Sequence, residues 1–467
     1  MTATTKVPLE ELTCMNSSYV DPNGRLFKWN KKLLRALTPE YSEFYIKNLS
    51  IFLELEKLGL IVKTRKTNFS IDGYGLVLEH EYLPLVSYCV EWPPEMLKDS
   101  AIITLTLARH LTRFNLTLQD ASPFNILFLN ARPLFVDITS ITPCDNSYLW
   151  RPYQQFCSFF YYPLFLCSRK RGNIARRLLF NPIQGIEPYE FIKQLSIMDI
   201  IAKPKLITNV ILPLYIWNII SKYPKLRTNA LDKGRAIVNK NLTPAIRSSF
   251  FDKVYRDIES TKLLSTSHWS DYYKNSSDYI EEKKNIISDV IEKYRPKSVL
   301  DIGCNIGEFS VLAAKKGCNV VSIDSDESVV NALYLRAKVE NLSITPLVID
   351  FVNPTPAFGW LSKEFPSAIE RIQCDAVFLL ALIHHLVFKQ RQNFFRIVEA
   401  LNCFSKKLAV VEFIPKEDKF VQENWEERFA WYTFENLLDE LSKFFSIEEI
   451  ISEINGRKIL VCLKKVI

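Results

Sequence analysis

Five short apolar runs punctuate the C-terminal part of the chain, and most close on a polar residue. They are Val299-Leu300-Asp301-Ile302, Asn319–Asp324, Pro346–Ile349 before Asp350-Phe351, Asp375–Leu380, and Leu408–Phe413. Segments with helical spacing lie between them, such as Phe309, Val311, Leu312 and Ala313. Strand and helix alternating in this order predict an open parallel α/β sheet with a crevice beyond the strand ends. Two further apolar runs, Ile447–Ile454 and Lys458–Leu463, flank Asn455-Gly456, the strongest short hairpin signal.

The N-terminal pattern is different. Residues 1–25 read as a loose arm and a turn, with Pro8, Asp21-Pro22 and Asn23-Gly24. Arg25–Trp29 and Gly75–Glu81 read as strands, and Glu40–Leu60 has helical spacing. Ala101–Phe114 places Ile103, Leu107 and Leu111 on one helical stripe. Residues 150–245 look helical, punctuated by Pro163, Pro182, Pro204, Pro213 and Pro224. From 246 to 277 the composition turns polar and aromatic, which predicts a connector. Its Trp269 and Tyr273 either cap the crevice or simply pack, the commoner role. The division expected is therefore 1–245, a connector over 246–277, and 278–467.

The first apolar run leads into Gly303-Cys304-Asn305-Ile306-Gly307 and then a helical segment. Strand, glycine-rich turn and helix present backbone N–H groups and a positive helix end to a ligand. Asn305 stands where a dinucleotide fingerprint has its second glycine, and Asn enters left-handed geometry more readily than most residues. Asp324 closes the second run, where a nucleotide fold puts the carboxylate that grips a ribose.

Together these motifs resemble a class I S-adenosylmethionine-dependent methyltransferase. The resemblance implies a seven-stranded Rossmann-like sheet ending in an antiparallel hairpin, with S-adenosyl-L-methionine as cofactor. It implies that Gly303, Cys304, Asn305 and Gly307 face the methionine moiety and ribose, and that Asp301 fixes the amino group. Asp324 would accept the ribose hydroxyls, Asp350 and Phe351 would meet the adenine, and Phe378–Ala381, with Leu380, would line the floor. His384 and His385 follow the fourth strand, where the acceptor should lie, and His suits a base near neutral pH. A helix-capping or supporting role is the alternative for the pair, with His385 preferred for substrate contact. Glu412, ending the fifth strand, is a weaker candidate.

A second constellation lies upstream. Asp120-Ala121-Ser122-Pro123-Phe124-Asn125 is followed by Arg132-Pro133-Leu134-Phe135-Val136-Asp137. An Asp, an Asn and a strand-ending Asp at this spacing resemble the catalytic loop of aminoglycoside- and choline-kinase-like phosphotransferases. That resemblance implies Asp120 as base and Asn125 and Asp137 as magnesium ligands, with ATP as co-substrate, in an α+β N-terminal domain. The chain departs from it: Leu118-Gln119 replaces His-Arg, no G-x-G-x-x-G loop precedes, and Lys28, Lys31, Lys63 and Lys66 compete as the phosphate-pairing lysine. A degenerate kinase-like fold is thus the larger expectation, and an Asx-rich turn remains a reading of the same residues. The tandem order, with Arg151-Pro152-Tyr153-Gln154-Gln155-Phe156-Cys157, is similar to a group of bacterial methyltransferases related to a nodulation protein.

Composition narrows the remainder. Hydrophobic content of 48% and charged content of 24% are those of an ordinary globular chain. A net charge of +7 permits an anionic partner without requiring one. Arg169, Lys170, Arg171, Arg176 and Arg177 form a basic cluster that reads as a solvated helix face or an anion contact. Ten cysteines show no C-x-x-C pair, so reduced thiols in a cytoplasmic protein are expected rather than zinc or disulfides. Phe156–Cys167 and Val210–Ile220 are too short to span a bilayer and read as buried helices, with interfacial membrane contact as the alternative. No Asn-Pro-Pro-Tyr motif follows the fourth strand, which disfavours nucleic-acid bases as acceptors. A small molecule, a glycan and a protein all remain, beside the alternatives of a non-catalytic cofactor-binding scaffold and a bifunctional phosphotransferase.

Overall fold

β-Branched runs bounded by helical segments build the larger sheet. In this computed structural model, residues 5–18, 21–145, 148–223, 228, 242–263, 277–452 and 456–465 are described. Seven strands lie in the order Ile344–Val348, Asn319–Asp324, Ser298–Ile302, Cys374–Leu379, Ser405–Phe413, Lys458–Lys464 and Phe445–Ser452. The first five pair in parallel, and Lys458–Lys464 pairs antiparallel with the strand on either side of it. Strands buried on both faces read as continuous Val/Ile/Leu runs, which is why the sequence shows them so plainly. The last pair is the expected hairpin, although Asn455 at its turn lies outside the described residues. Sheet order reverses beside Ser298–Ile302, and the strand ends there open the crevice.

The N-terminal part contains a five-stranded antiparallel sheet ordered Thr13–Cys14, Gly24–Trp29, Lys32–Leu37, Leu76–His80 and Thr64–Lys66. Helices Pro39–Lys47 and Leu49–Lys57 connect its third and fourth strands in the chain. The long helix Pro94–Thr112 follows, its Met96, Leu97, Ile103, Leu107 and Leu111 buried. Ile126–Leu129 and Arg132–Phe135 then form a hairpin turned by Asn130 and Ala131, both at positive φ. One hydrophobic core runs without a break from this part into the larger sheet.

Three expectations change. The N-terminal arm is not loose where described, since Thr5–Lys6 pairs in parallel with Phe69–Ser70 and Val7 is buried. The connector predicted from 246 begins inside a helix, Pro244–Glu259, which packs on Pro94–Thr112. Thr243 caps that helix and Pro244 starts it, a start signal that polar composition had masked. Trp269 and Tyr273 lie outside the described residues. Third, Phe156–Cys167 is buried but Val210–Ile220 is not: Leu212, Tyr215, Ile216 and Ile219 are exposed.

Candidate functional site

The glycine-rich turn is held open by backbone geometry. Gly303 and Gly307 take φ of +70° and +83°, and Asn305 takes 50°, the left-handed geometry the sequence allows it. A Cβ on Gly307 would stand 2.3 Å from a methyl of Leu333, so any side chain there would have to displace the Leu333 side chain. The turn is also tied to the second strand. Asn305 N donates to Asp324 Oδ2 at 3.0 Å, and Asp326 N donates to Asp324 Oδ1 at 2.9 Å. Burial raises the Asp324 pKa despite these donors. One carboxylate thus fixes the loops that follow two adjacent strands.

Beside it lies a cavity of about 220 Å³. Of the residues singled out in the sequence, Gly303, Asn305, Asp324, Asp350, Phe351, Leu380 and His385 line it. The Asn305 Oδ1 atom is buried with no hydrogen-bond partner among the described residues. An acceptor left unsatisfied at a cavity wall fits a ligand that brings a donor, such as the ammonium of an amino acid.

Asp301, Cys304, Gly307 and His384 fall outside the lining, as do Phe378 and Leu379 of the expected floor. Asp301 is buried and accepts from Ser310 Oγ at 2.5 Å, and Ser322 Oγ donates to Ser310 at 2.8 Å. Burial pushes the Asp301 carboxyl up to about 6, with the Ser310 bond opposing. It therefore braces the turn from behind. The Cys304 thiol is buried, and burial raises its pKa far above the ordinary value, so it stays protonated.

His384 and His385 open a short helix, Ile383–Phe388, with ring centroids 4.2 Å apart and Phe420 against both. Burial lowers the His384 pKa to about 2, and its Nδ1 has no partner among the described residues. His385 faces the cavity, and burial followed by the charge of Lys389 lowers its pKa to about 4. Of the pair, only His385 can reach a molecule in this cavity.

Glu412 is fully buried and does not line the cavity. It accepts from Lys283 Nζ at 2.6 Å and from Ala381 N at 2.7 Å, and Arg457 stands 3.6 Å away. Ala381 has φ of 49° and lines the cavity, so Glu412 holds the floor in a strained conformation. Sequence reasoning missed Lys283, and it missed Lys389 and Gln390 in the lining. Lys389 stands four residues after His385, a spacing that could have found it.

The upstream constellation is a closed network. Arg35, on Lys32–Leu37, is buried and stands 3.0 Å from both Asp137 Oδ1 and Asp21 Oδ2. Its Nε donates to His80 Nε2 at 3.1 Å, and Thr139 Oγ1 donates to Asp21 at 2.7 Å. Burial, Asp137 and Asp21 raise the Asp120 pKa. No described cluster of three or more His, Cys, Asp or Glu side chains is placed to hold a metal, Asn125 notwithstanding. None of the four lysines proposed as phosphate partners holds Asp137; Arg35 does.

Residues 266–355 match the family model for the tellurite resistance protein TehB. The chain is 27% identical over 443 residues to the nodulation protein NoeA of Rhizobium meliloti, covering 91% of this chain and 90% of that one. It is 29% identical over 120 residues to a probable S-adenosyl-L-methionine-dependent methyltransferase TehB of Haemophilus influenzae, over 22% of this chain and 42% of the relative. Among solved structures it is similar to magnesium protoporphyrin IX methyltransferase from Synechocystis with bound SAM, at 16% identity and a TM-score of 0.29. That likeness spans 42% of this chain and 88% of the other.

Proposed function

We propose that this chain, an S-adenosylmethionine-dependent methyltransferase, delivers its methyl group to a hydroxyl or amine seated beside His385. The observation that carries this reading is one cavity shared by Asp324, Asn305 and His385. Asp324 would hold the ribose, since a carboxylate accepts two hydrogen bonds at once. Asn305 Oδ1 would take the ammonium, and Phe351 with Asp350 would meet the adenine. The sulfonium supplies a methyl group already activated for in-line displacement. The protein's task is then to orient, to exclude water and to accept a proton from the nucleophile.

A neutral imidazole does the last of these. Because the His385 pKa is lowered to about 4, the ring keeps its acceptor lone pair throughout the neutral range. Protonation removes that lone pair only as pH falls through the lowered value. Labelled-methyl transfer into a host-cell extract should therefore show no acid limb near the ordinary histidine pKa of about 6.5. His385→Ala should lose about a hundredfold in transfer with S-adenosylhomocysteine binding intact, in line with general-base contributions. Unchanged transfer in that variant would remove His385 from the mechanism.

The division 1–245, connector, and 278–467 is retained as a proposal, with Pro244–Glu259 assigned to the first part because it packs there. We read that part as a kinase-like domain without phosphotransfer. Its support is the Asp21–Arg35–Asp137 network, in which a buried guanidinium already pairs with the carboxylate that magnesium would need. Calorimetry with ATP and Mg²⁺ should give no binding heat, and Asp137→Asn should leave methyl transfer unchanged. ATP binding that Asp137→Asn abolishes would restore the bifunctional reading.

A further inference from the structure

We propose that Glu412 is a positioning residue for methyl transfer: two paths from its one carboxylate fix the His385 imidazole at the cavity wall. The inference rests on His385 as the base and adds what holds that base in place. Glu412 stands next to last in the strand Ser405–Phe413 and is fully buried. Along the first path, its Oε2 accepts from Ala381 N at 2.7 Å. Ala381, with φ of 49°, makes the turn that sends the chain from the strand Cys374–Leu379 into the helix Ile383–Phe388. A non-glycine residue holds that geometry only where its surroundings fix it. His385 N donates to Leu382 O at 2.9 Å, one residue past the pinned position, so a shift of Ala381 moves the helix that carries the imidazole.

The second path runs through the other oxygen. Arg457 Nη1 stands 3.6 Å from Glu412 Oε1, and Arg457 Nη2 donates to Asp418 Oδ2 at 2.7 Å. Asp418 Oδ1 accepts from Phe420 N at 3.0 Å and caps the helix Lys419–Glu423. The Phe420 ring packs on that of His385, with centroids 4.3 Å apart. One path thus fixes the base through its backbone, and the other through the ring laid against it. Stability does not account for the arrangement. Lys283 Nζ, from the helix Ser277–Tyr294, stands 2.6 Å from Glu412 Oε2, and both side chains are almost wholly buried. Well-packed apolar side chains in place of such a pair are often neutral or stabilising. A carboxylate kept there has a geometric task, and both of its oxygens lead to the same imidazole.

The test follows labelled-methyl transfer from S-adenosylmethionine into host-cell extract by the full chain, with S-adenosylhomocysteine calorimetry beside it. Arg457→Met cuts the second path and leaves Glu412 paired with Lys283. Glu412→Met with Lys283→Met cuts both paths and removes one charge of each sign, so neither partner is left buried alone. Transfer at saturating S-adenosylmethionine should fall about tenfold in Arg457→Met and about a hundredfold in the double variant, as for a misplacement of about 1 Å. In Arg457→Met, S-adenosylhomocysteine affinity should stay within about threefold of wild type, well under one hydrogen bond's contribution. In a His385→Ala background neither change should lower transfer further, because the group being placed is gone. The chain has five histidines, so the ring signals of isotope-labelled His385 can be identified by their loss in His385→Ala. They should shift in Arg457→Met while those of His80 and His110 stay. Losses that add to that of His385→Ala, or His385 signals unmoved in Arg457→Met, would overturn the positioning role and leave His385 as the base. Unchanged transfer in His385→Ala would remove the base and this role together.

Discussion

Asp324→Ala should weaken S-adenosylhomocysteine binding by about a hundredfold or more, measured by calorimetry, and should reduce labelled-methyl transfer in step. Each hydrogen bond to a charged group contributes roughly 1.5–3 kcal/mol, and this carboxylate is proposed to accept two from the ribose. It also accepts the N–H groups of Asn305 and Asp326, so its removal frees both loops that shape the cavity. Positioning and ligand contact are therefore lost together, and the effect should exceed that of removing either alone. Asp324→Asn separates them, because an amide oxygen accepts but its NH2 now faces a donor. Its affinity should fall between the two. If Asp324→Ala folds normally and binds within about threefold of wild type, well under one hydrogen bond's contribution, the cavity assignment fails.

Much of this site was legible because its parts are local in sequence. A strand, a turn with two glycines and one Asn, and a helix occupy consecutive residues, and Asp324 ends the next strand. The inward role of Asp301 was also readable in principle. It pairs in register with Ser322 on the neighbouring strand, and the two lie on one face with Ser310 between them. What stayed hidden depends on long-range packing. Arg35 meets Asp137 across 102 residues of chain, and no periodicity announces such a pair. Hydropathy likewise predicts that Val210–Ile220 is apolar but not which of its sides another element covers. Polar composition over 246–259 outweighed the Thr243-Pro244 start signal, although a solvent-facing amphipathic helix is polar by necessity.

Arg371→Met should destabilise the chain by about 3–5 kcal/mol, because it leaves a buried carboxylate without its counter-charge. Glu91 is fully buried, and Arg371 contacts both of its carboxylate oxygens while stacking over Tyr88 at 4.1 Å. This pair sits where the two parts of the chain meet. The Glu91 carbonyl accepts from Val348 N at 2.7 Å, and Val348 immediately precedes Ile349, Asp350 and Phe351 in the cavity wall. Nearby, Tyr334 donates to Asp99 at 2.6 Å, and Arg176 pairs with Glu327 at 2.7 Å on the helix that follows Asp324. The N-terminal part therefore braces the wall that Asp350 and Phe351 give the cavity, and a loosened clamp should be felt by the ligand. Thermal unfolding of Arg371→Met should show a lower midpoint, and S-adenosylhomocysteine affinity should fall although neither residue lines the cavity. Glu91→Gln combined with Arg371→Met removes both charges and should recover most of the stability, which a simple packing defect would not. A midpoint in Arg371→Met equal to that of wild type would mean that the two parts do not depend on this contact.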